Sequence, residues 1–92
     1  MQFVFYGYDK KDHLPVRMEN RPAHVSWLKS SPCLLAGPLL IDDGDMCGSM
    51  VVMEADDLES AEALFAQDPY AQADLFETSS VTQWNWVIGK PE

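Results

Sequence analysis

Runs of aromatic and β-branched residues mark the strands of this chain. The run from Gln2 to Tyr8 stops at the charged residues Asp9 to Asp12, which predicts a strand followed by a solvated loop. Two further runs of this type, Cys33 to Ile41 and Cys47 to Ala55, are separated by the turn-forming residues 42–45. This spacing predicts a β-hairpin.

A first helix is predicted between the first strand and the hairpin, from Arg21 to Ser30. Asn20 is a favourable N-cap, and Pro22 is tolerated in a first helical turn. Pro32 ends the segment, because the residue before a proline avoids the α region.

A second helix follows the hairpin. Asp56 and Glu59, three residues apart, resemble a capping box, and an apolar stripe continues to about Gln67. A short helical segment is then predicted from Asp68-Pro69 through Leu75, because the carboxylate can accept backbone protons and proline has none to lose. The last strand is predicted at Val81 to Ile88, where tryptophans recur at period two.

The element order is therefore β-α-β-β-α-β over residues 1–92, in one domain. This order is typical of the ferredoxin-like α+β fold, a four-stranded antiparallel sheet with helices on one face.

The strands are unusual for a sheet that meets water on its second face. Such strands alternate apolar and polar residues, but Phe3 to Tyr6 and Met50 to Met53 are apolar at every position. A second copy of the sheet is the cover that we expect, in a symmetric homodimer. The alternative is a merely amphipathic face with tyrosine and methionine at its edge.

Charge and composition exclude several classes of partner. Six basic and fifteen acidic residues give a formal charge of −9, so nucleic acid and anionic membranes are poor partners. No apolar run approaches the roughly 18 residues of a membrane span. Met1 leads directly into an apolar strand rather than a signal sequence. We expect a soluble cytoplasmic protein.

The two cysteines, Cys33 and Cys47, fall on the two hairpin strands. With a turn near Gly44, residues that face each other have numbers adding to about 88, which sets the two sulfurs several residues apart along the strands. That separation exceeds disulfide range, so reduced thiols are predicted.

Nothing in the spacing of histidine and cysteine indicates a metal site. His13 and His24 are the only histidines, and no His-x-x-x-His pair exists. Gly37-Pro38 and Gly44 are isolated turn glycines rather than a phosphate-binding loop. We expect neither a metal nor a cofactor.

His24 is the more informative histidine. Arg21, His24 and Leu28 fall at i, i+3 and i+7, so an arginine and an imidazole share a helix face. Such a face can bind an anion while the imidazole transfers a proton near neutral pH. The alternative is a hydrogen-bonded histidine at the boundary of the core.

Asp68 also has two interpretations. An aspartate before proline is explained fully by a helix cap. A carboxylate has about four lone-pair sites, however, so Asp68 could cap the segment and orient His24 as well.

An ordered set of residues resembles the YCII-related family over essentially the whole chain. The set comprises Arg17, Arg21 and His24, then Ala36-Gly37-Pro38-Leu39, Asp43-Gly44, Gly48, Ala55 to Glu59, Asp68-Pro69-Tyr70, Ala73 and Leu75. The resemblance implies a dimeric α+β barrel in which two ferredoxin-like sheets pack face to face. It also implies an active site built on His24 and Asp68. Arg17 and Arg21 would hold an anionic group, and Gly37, Pro38 and Tyr70 would shape the substrate pocket.

One position departs from the family pattern. Asp74 stands where family members often carry glycine. Aspartate tolerates a left-handed backbone better than most residues. Alternatively, its charge lies near the site and weakens the binding of anionic substrates.

Two functions are consistent with these residues. The first is a cofactor-independent enzyme, of lyase or isomerase type, that uses the His24–Asp68 pair on a small polar or aromatic molecule. The second is a non-catalytic module that binds a small molecule in the same pocket.

Overall fold

The computed structural model describes residues 1–91 as one antiparallel sheet with helices on one of its faces. The strands are Gln2–Asp9 (β1), Cys33–Leu40 (β2), Met46–Glu54 (β3) and Phe76–Trp84 (β4); the helices are Leu14–Lys29 (α1), Leu58–Ala66 (α2) and Pro69–Gln72 (α3). The strand order is β2-β3-β1-β4, and every pair is antiparallel. The α+β ferredoxin-like prediction is confirmed.

The middle of the β2–β3 hairpin forms one position away from the predicted register, where Gly37 pairs with Met50. At the start of β2 an irregularity between Cys33 and Leu35 makes the difference two positions, so Cys33 pairs with Met53 rather than with a residue near 55. Cys33 and Cys47 are free thiols, as predicted. Burial raises the pKa of the Cys33 thiol, which favours its protonated form.

Helix α1 begins seven residues earlier than predicted, at Leu14. Pro15 lies in its first turn, and Pro22, which the sequence placed there, lies inside the helix. An internal proline removes the hydrogen bond to the carbonyl four residues earlier, that of Met18. Both Pro22 and Met18 are exposed. Water can therefore solvate the carbonyl of Met18, and the helix continues.

The other boundaries are corrected by smaller shifts. Asp57 rather than Asp56 caps α2, because its side chain accepts a hydrogen bond from the Ser60 backbone N–H at 2.8 Å. Helix α3 stops at Gln72 instead of Leu75. Strand β4 covers Phe76–Trp84 instead of Val81 to Ile88. The first half of β4 is mostly polar, so no apolar pattern marks it as a strand. Its pairing with β1 is what makes it one.

The hydrophobic core lies between the sheet and α2. Phe3, Phe5, Val51 and Met53 point to this side and pack with Phe65, whose ring stacks on Phe5 at a centroid distance of 5.1 Å. None of the helices in residues 1–91 is long and apolar enough to cross a membrane.

The sheet face away from the helices is also largely apolar. In the register of β1 with β3, Val4 opposes Val52 and Tyr6 opposes Met50 on this face. The two valines are buried, whereas Tyr6 and Tyr8 are 38% and 52% exposed. The predicted dimer partner of this face stays a prediction, because one chain does not test it.

Candidate functional site

Helices α1 and α3 bring His24 and Asp68 together from positions 44 residues apart in the chain. The Nδ1 atom of His24 lies 2.7 Å from Asp68 Oδ1, and both side chains are buried. The second ring nitrogen of His24, Nε2, makes no hydrogen bond within residues 1–91 and is open to a cleft. The arrangement leaves one imidazole nitrogen free to exchange a proton with a bound molecule.

Asp68 makes the contacts that both of its interpretations require. It is the N-cap of α3, and its Oδ1 accepts from the Tyr70 backbone N–H at 2.9 Å. The same oxygen is the one that meets His24. Pro69 follows directly, so α3 begins at this point in the chain. The capping position holds the Asp68 carboxylate beside His24 of α1.

The ring of Tyr70 lies between two side chains of α1. His24 stacks on it at a centroid distance of 3.9 Å, and the Cζ atom of Arg17 lies 4.6 Å from its centroid. Arg17 and His24 are two helical turns apart, roughly 10.5 Å along the axis, so the phenol ring is inserted between them. Burial raises the pKa of Tyr70, although the charge of Arg17 opposes the shift. Tyr70 therefore stays neutral and holds the imidazole plane by stacking.

Arg17 is fixed by a buried polar network. Its Nε and Nη2 atoms donate to the two carboxylate oxygens of Asp9 at 2.7 and 2.9 Å, and Nη2 also donates to Ser49 Oγ at 2.9 Å. Burial alone would lower the pKa of Arg17, but the hydrogen bonds and charge of Asp9 outweigh it and raise the pKa above its usual value. The guanidinium is thus a permanent cation whose charge Asp9 largely neutralises.

These groups line one cleft of about 290 Å³ between α1 and the β2–β3 edge of the sheet. Its walls carry the predicted site residues Arg17, Arg21, His24, Gly37, Pro38 and Tyr70. Asp68 stands behind His24 and does not line the cleft itself. The remaining lining residues are Val25, Leu28, Lys29, Ala36 and Ser49. The wall of the cleft therefore combines apolar side chains with cationic groups and one imidazole.

The two predicted arginines occupy different positions in the cleft. Arg17 is buried and paired with Asp9, so it offers a ligand only its Nη1 group. Arg21 is exposed and forms no ion pair within residues 1–91. Arg21 is consequently the cation better placed to attract an anionic group.

Asp74 lies outside the cleft. Its φ is 56°, in the left-handed region, and its carboxylate pairs with Lys10 at 2.6 Å. That hydrogen bond lowers the pKa of Asp74. The structure supports the interpretation that Asp74 replaces glycine at a position with a left-handed backbone. Its charge faces Lys10 rather than the cleft residues.

Sequence reasoning missed Asp9 and Ser49. Asp9 was expected in a solvated loop, and nothing in its neighbours indicates the pair with Arg17. Ser49 carried a usable signal, since it shares a strand face with Val51 and Met53, and a polar residue on a buried face needs a partner. Among residues 1–91, no group of three histidine, cysteine or acidic side chains is placed to hold a metal ion.

The chain resembles one family over nearly all of its length. The model of the YCII-related domain matches residues 1–85. Protein YciI of Escherichia coli O6:H1 is 37% identical over 98 aligned positions, which cover 96% of this chain and 100% of the relative.

Two solved structures share the fold of this chain. A 5-chloro-2-hydroxyhydroquinone dehydrochlorinase from Burkholderia phenoliruptrix AC1100, in complex with 2,5-dihydroxybenzoquinone, is 33% identical with a TM-score of 0.84. The match covers 92% of this chain and 94% of that one. An antibiotic biosynthesis monooxygenase is 11% identical with a TM-score of 0.59, over 94% of this chain and 97% of the other. At that identity the likeness concerns the fold alone.

Proposed function

The chain belongs to the YCII-related family, and from this premise we propose that it is an enzyme that transfers protons on a small hydroxylated ring. His24 is the acid–base group in this proposal. The observation that carries it is the 2.7 Å contact of His24 Nδ1 with buried Asp68, together with a free Nε2 facing the cleft.

Asp68 defines which nitrogen of His24 reacts. An ionised carboxylate only accepts hydrogen bonds, so the neutral imidazole carries its proton on Nδ1. The lone pair is then on Nε2, where it can take a proton from a ligand hydroxyl. After that transfer the carboxylate stabilises the imidazolium, and His24 can return the proton elsewhere on the ligand.

The cleft favours a single ring as ligand. Its volume of about 290 Å³ is at the lower end of the range for small-molecule sites. Val25, Leu28 and Pro38 offer apolar contacts to ring faces, and Arg21 offers a cation to an ionised oxygen. The dehydrochlorinase that shares 33% identity with this chain is described with a ring ligand of this kind.

Elimination from a halogenated hydroquinone needs only proton transfers. One hydroxyl proton moves to the ring carbon that bears the halogen, and a second hydroxyl proton leaves as the halide departs with the carbon–halogen electron pair. The products are a quinone and one equivalent of hydrogen halide, so no external oxidant takes part. One acid–base group that faces the ring from a fixed position can perform both transfers.

Chloride release from 5-chloro-2-hydroxyhydroquinone tests this function. We expect His24→Asn to lower the rate at least about 100-fold, because the variant keeps a polar side chain but loses the acid–base group. His13→Asn is the matched control, since His13 lies outside the cleft and should give the wild-type rate. Full activity of His24→Asn would contradict the proposed role. Saturable binding without any product would favour the non-catalytic module instead.

We further propose that two copies pack their open sheet faces together. Tyr6 and Tyr8 project from β1 on that face, beside partly buried Leu35, Leu39 and Met50. An apolar surface of this kind is typical of an interface rather than of a solvated face. The face-to-face dimer implied by the family resemblance would bury it.

A further inference from the structure

The charges of this chain are unevenly distributed, and the cleft collects positive ones. Three of the six basic residues, Arg17, Arg21 and Lys29, line it. The chain has fifteen acidic residues, and none of those within residues 1–91 lines the cleft. A cleft lined by one sign of charge raises the local concentration of oppositely charged ligands. The cleft therefore attracts anions on a protein whose formal charge is −9.

Two of these cations are available to a ligand. Arg17 is paired with Asp9 inside the protein. Arg21 and Lys29 are exposed, and neither forms an ion pair in the part of the chain that the structure describes. Arg21 already attracts the ionised ring oxygen in the proposed function. Lys29 is thus a cleft cation whose charge the proposed reaction does not use.

Helix α1 places these two cations on opposite sides of His24. Arg21 precedes His24 by three residues, about 4.5 Å along the helix axis, and Lys29 follows it by five residues, about 7.5 Å. A ring held at His24 therefore has a cation beyond each of its ends. The four-carbon stem of lysine is flexible, so the Lys29 ammonium can adjust to a group that projects from the ring.

We propose that Lys29 binds an anionic substituent, of the carboxylate type, on the hydroxylated ring that His24 acts on. The inference rests on the proposed function and narrows its substrate class to ring acids, which carry a second negative group besides the ionised hydroxyl. Lys29 takes no part in proton transfer. It is a specificity residue that makes the cleft prefer an acid over a neutral ring of the same shape.

Lys29 also has a structural role in its helix. It lies in the last turn of α1, where a cation interacts favourably with the helix dipole. That role acts through the stability of the helix, so its loss affects charged and neutral ligands equally. An ion pair with a substituent affects only the ligands that carry the charge. The comparison of a charged ligand with a neutral one therefore isolates the proposed role.

Calorimetric titration under nitrogen with (2,5-dihydroxyphenyl)acetate and with its neutral amide tests the inference. The two probes share the ring, the hydroxyls and the shape, and they differ by one charge. We expect Lys29→Gln to bind the acid about fivefold more weakly than wild type, which corresponds to one exposed ion pair. Its affinity for the amide should be unchanged. Lys29→Arg keeps the charge and should keep the preference for the acid.

Lys11→Gln is the matched control, because Lys11 is an exposed lysine that does not line the cleft. The variant removes the same charge from the protein, so it measures the effect of net charge alone. It should bind both probes as wild type does.

Each outcome of the titration has a distinct meaning. Loss of affinity for the acid alone in Lys29→Gln, with rescue by arginine, supports the inference. Unchanged affinity for the acid overturns it, and so does an equal loss for acid and amide. Both of these results leave the proposed function intact, provided that wild type binds the amide. Absence of binding of either probe to wild type overturns the ring-acid class. The dependence of chloride release on His24 then decides the proposed function independently.

Discussion

At the scale of single residues, one carboxylate oxygen of Asp68 both caps a helix and contacts His24. Oδ1 accepts from the Tyr70 backbone N–H and faces His24 Nδ1, while Oδ2 is buried without a hydrogen bond in residues 1–91. Stability and site geometry are therefore coupled at this position. A substitution that keeps the cap and removes the charge can separate them.

Asp68→Ser is that substitution, because serine still caps a helix. We expect a change in unfolding free energy within about 1 kcal/mol. The rate of chloride release should fall more than about tenfold, because the imidazole loses the acceptor that fixes its tautomer. Nitrogen-15 NMR of His24 should show mixed tautomers in the variant and a proton on Nδ1 in wild type. Equal rates in the two proteins would make Asp68 a cap and nothing more.

Arg17 contributes to stability as well as to the cleft. Its ion pair with Asp9 has side chains only 2% and 7% exposed, so removal of one partner leaves a buried uncompensated charge. We expect Arg17→Met to lower the unfolding free energy by about 3–5 kcal/mol in urea denaturation. The double variant Asp9→Asn/Arg17→Met should recover part of that loss.

Arg21→Met is the matched control for Arg17. Arg21 is on the same helix and lines the same cleft, but it is exposed, so its loss should change stability by no more than about 0.5 kcal/mol. Equal costs for the two arginine variants would show that the Asp9 pair does not stabilise the fold.

At the scale of elements, the β1–β3 pairing depends on a close backbone approach at Gly48. A Cβ added to Gly48 would clash with the carbonyl oxygen of Gly7, and a backbone atom cannot move aside as a side chain can. Gly37, on the neighbouring strand, has nothing within 4 Å of the corresponding position. The two glycines make a matched pair for a test of sheet packing.

We expect Gly48→Ala to destabilise the protein by at least about 1–3 kcal/mol, because β1 and β3 must move apart. Gly37→Ala should be neutral or slightly stabilising, since it restricts the unfolded chain without a clash. Urea denaturation of both variants measures the difference. A Gly48→Ala variant as stable as Gly37→Ala would contradict the close approach.

Element boundaries were less predictable than element types. Pro22 indicated a helix start, yet α1 runs from Leu14, and contacts on either side of the proline hold it helical: Arg17 with Asp9, and His24 with Asp68. Strand β4 begins at Phe76 because β1 offers it free hydrogen-bonding groups, not because its residues 77–80 are apolar. Tertiary contacts outweigh local propensity in both cases.

At the scale of the whole molecule, the open sheet face makes the proposed dimer testable. Wild-type protein should sediment as two copies at micromolar concentration. Tyr6→Glu should sediment as one copy, because a carboxylate at the centre of an apolar interface would be buried without a partner. Met18→Glu is the control: Met18 is 49% exposed on α1, away from this face, and should leave the assembly unchanged. A single wild-type copy at that concentration would contradict the dimer.

The fold class was predictable because hydrophobic periodicity is a local property. The runs Gln2–Tyr8, Cys33–Ile41 and Cys47–Ala55 and the apolar stripe of α2 each lie within about one position of the observed elements. Reduced cysteines followed from hairpin geometry, even though the register was one to two positions off. His24 and Asp68 were singled out by residue type, helix spacing and family resemblance, and their role in a reaction stays a prediction.

What the sequence determined by itself was therefore the order of elements and the antiparallel sheet, because the hydrophobic periodicity of neighbouring residues encodes them. It also singled out His24 and Asp68 as candidates, through their residue types and the family resemblance. Only the tertiary structure decided that Asp68 meets His24, that Tyr70 stacks between Arg17 and His24, and that Asp9 and Ser49 hold Arg17. These contacts join residues from separate elements. Their geometry depends on how α1 and α3 pack on the sheet, and no local pattern along the chain specifies that packing.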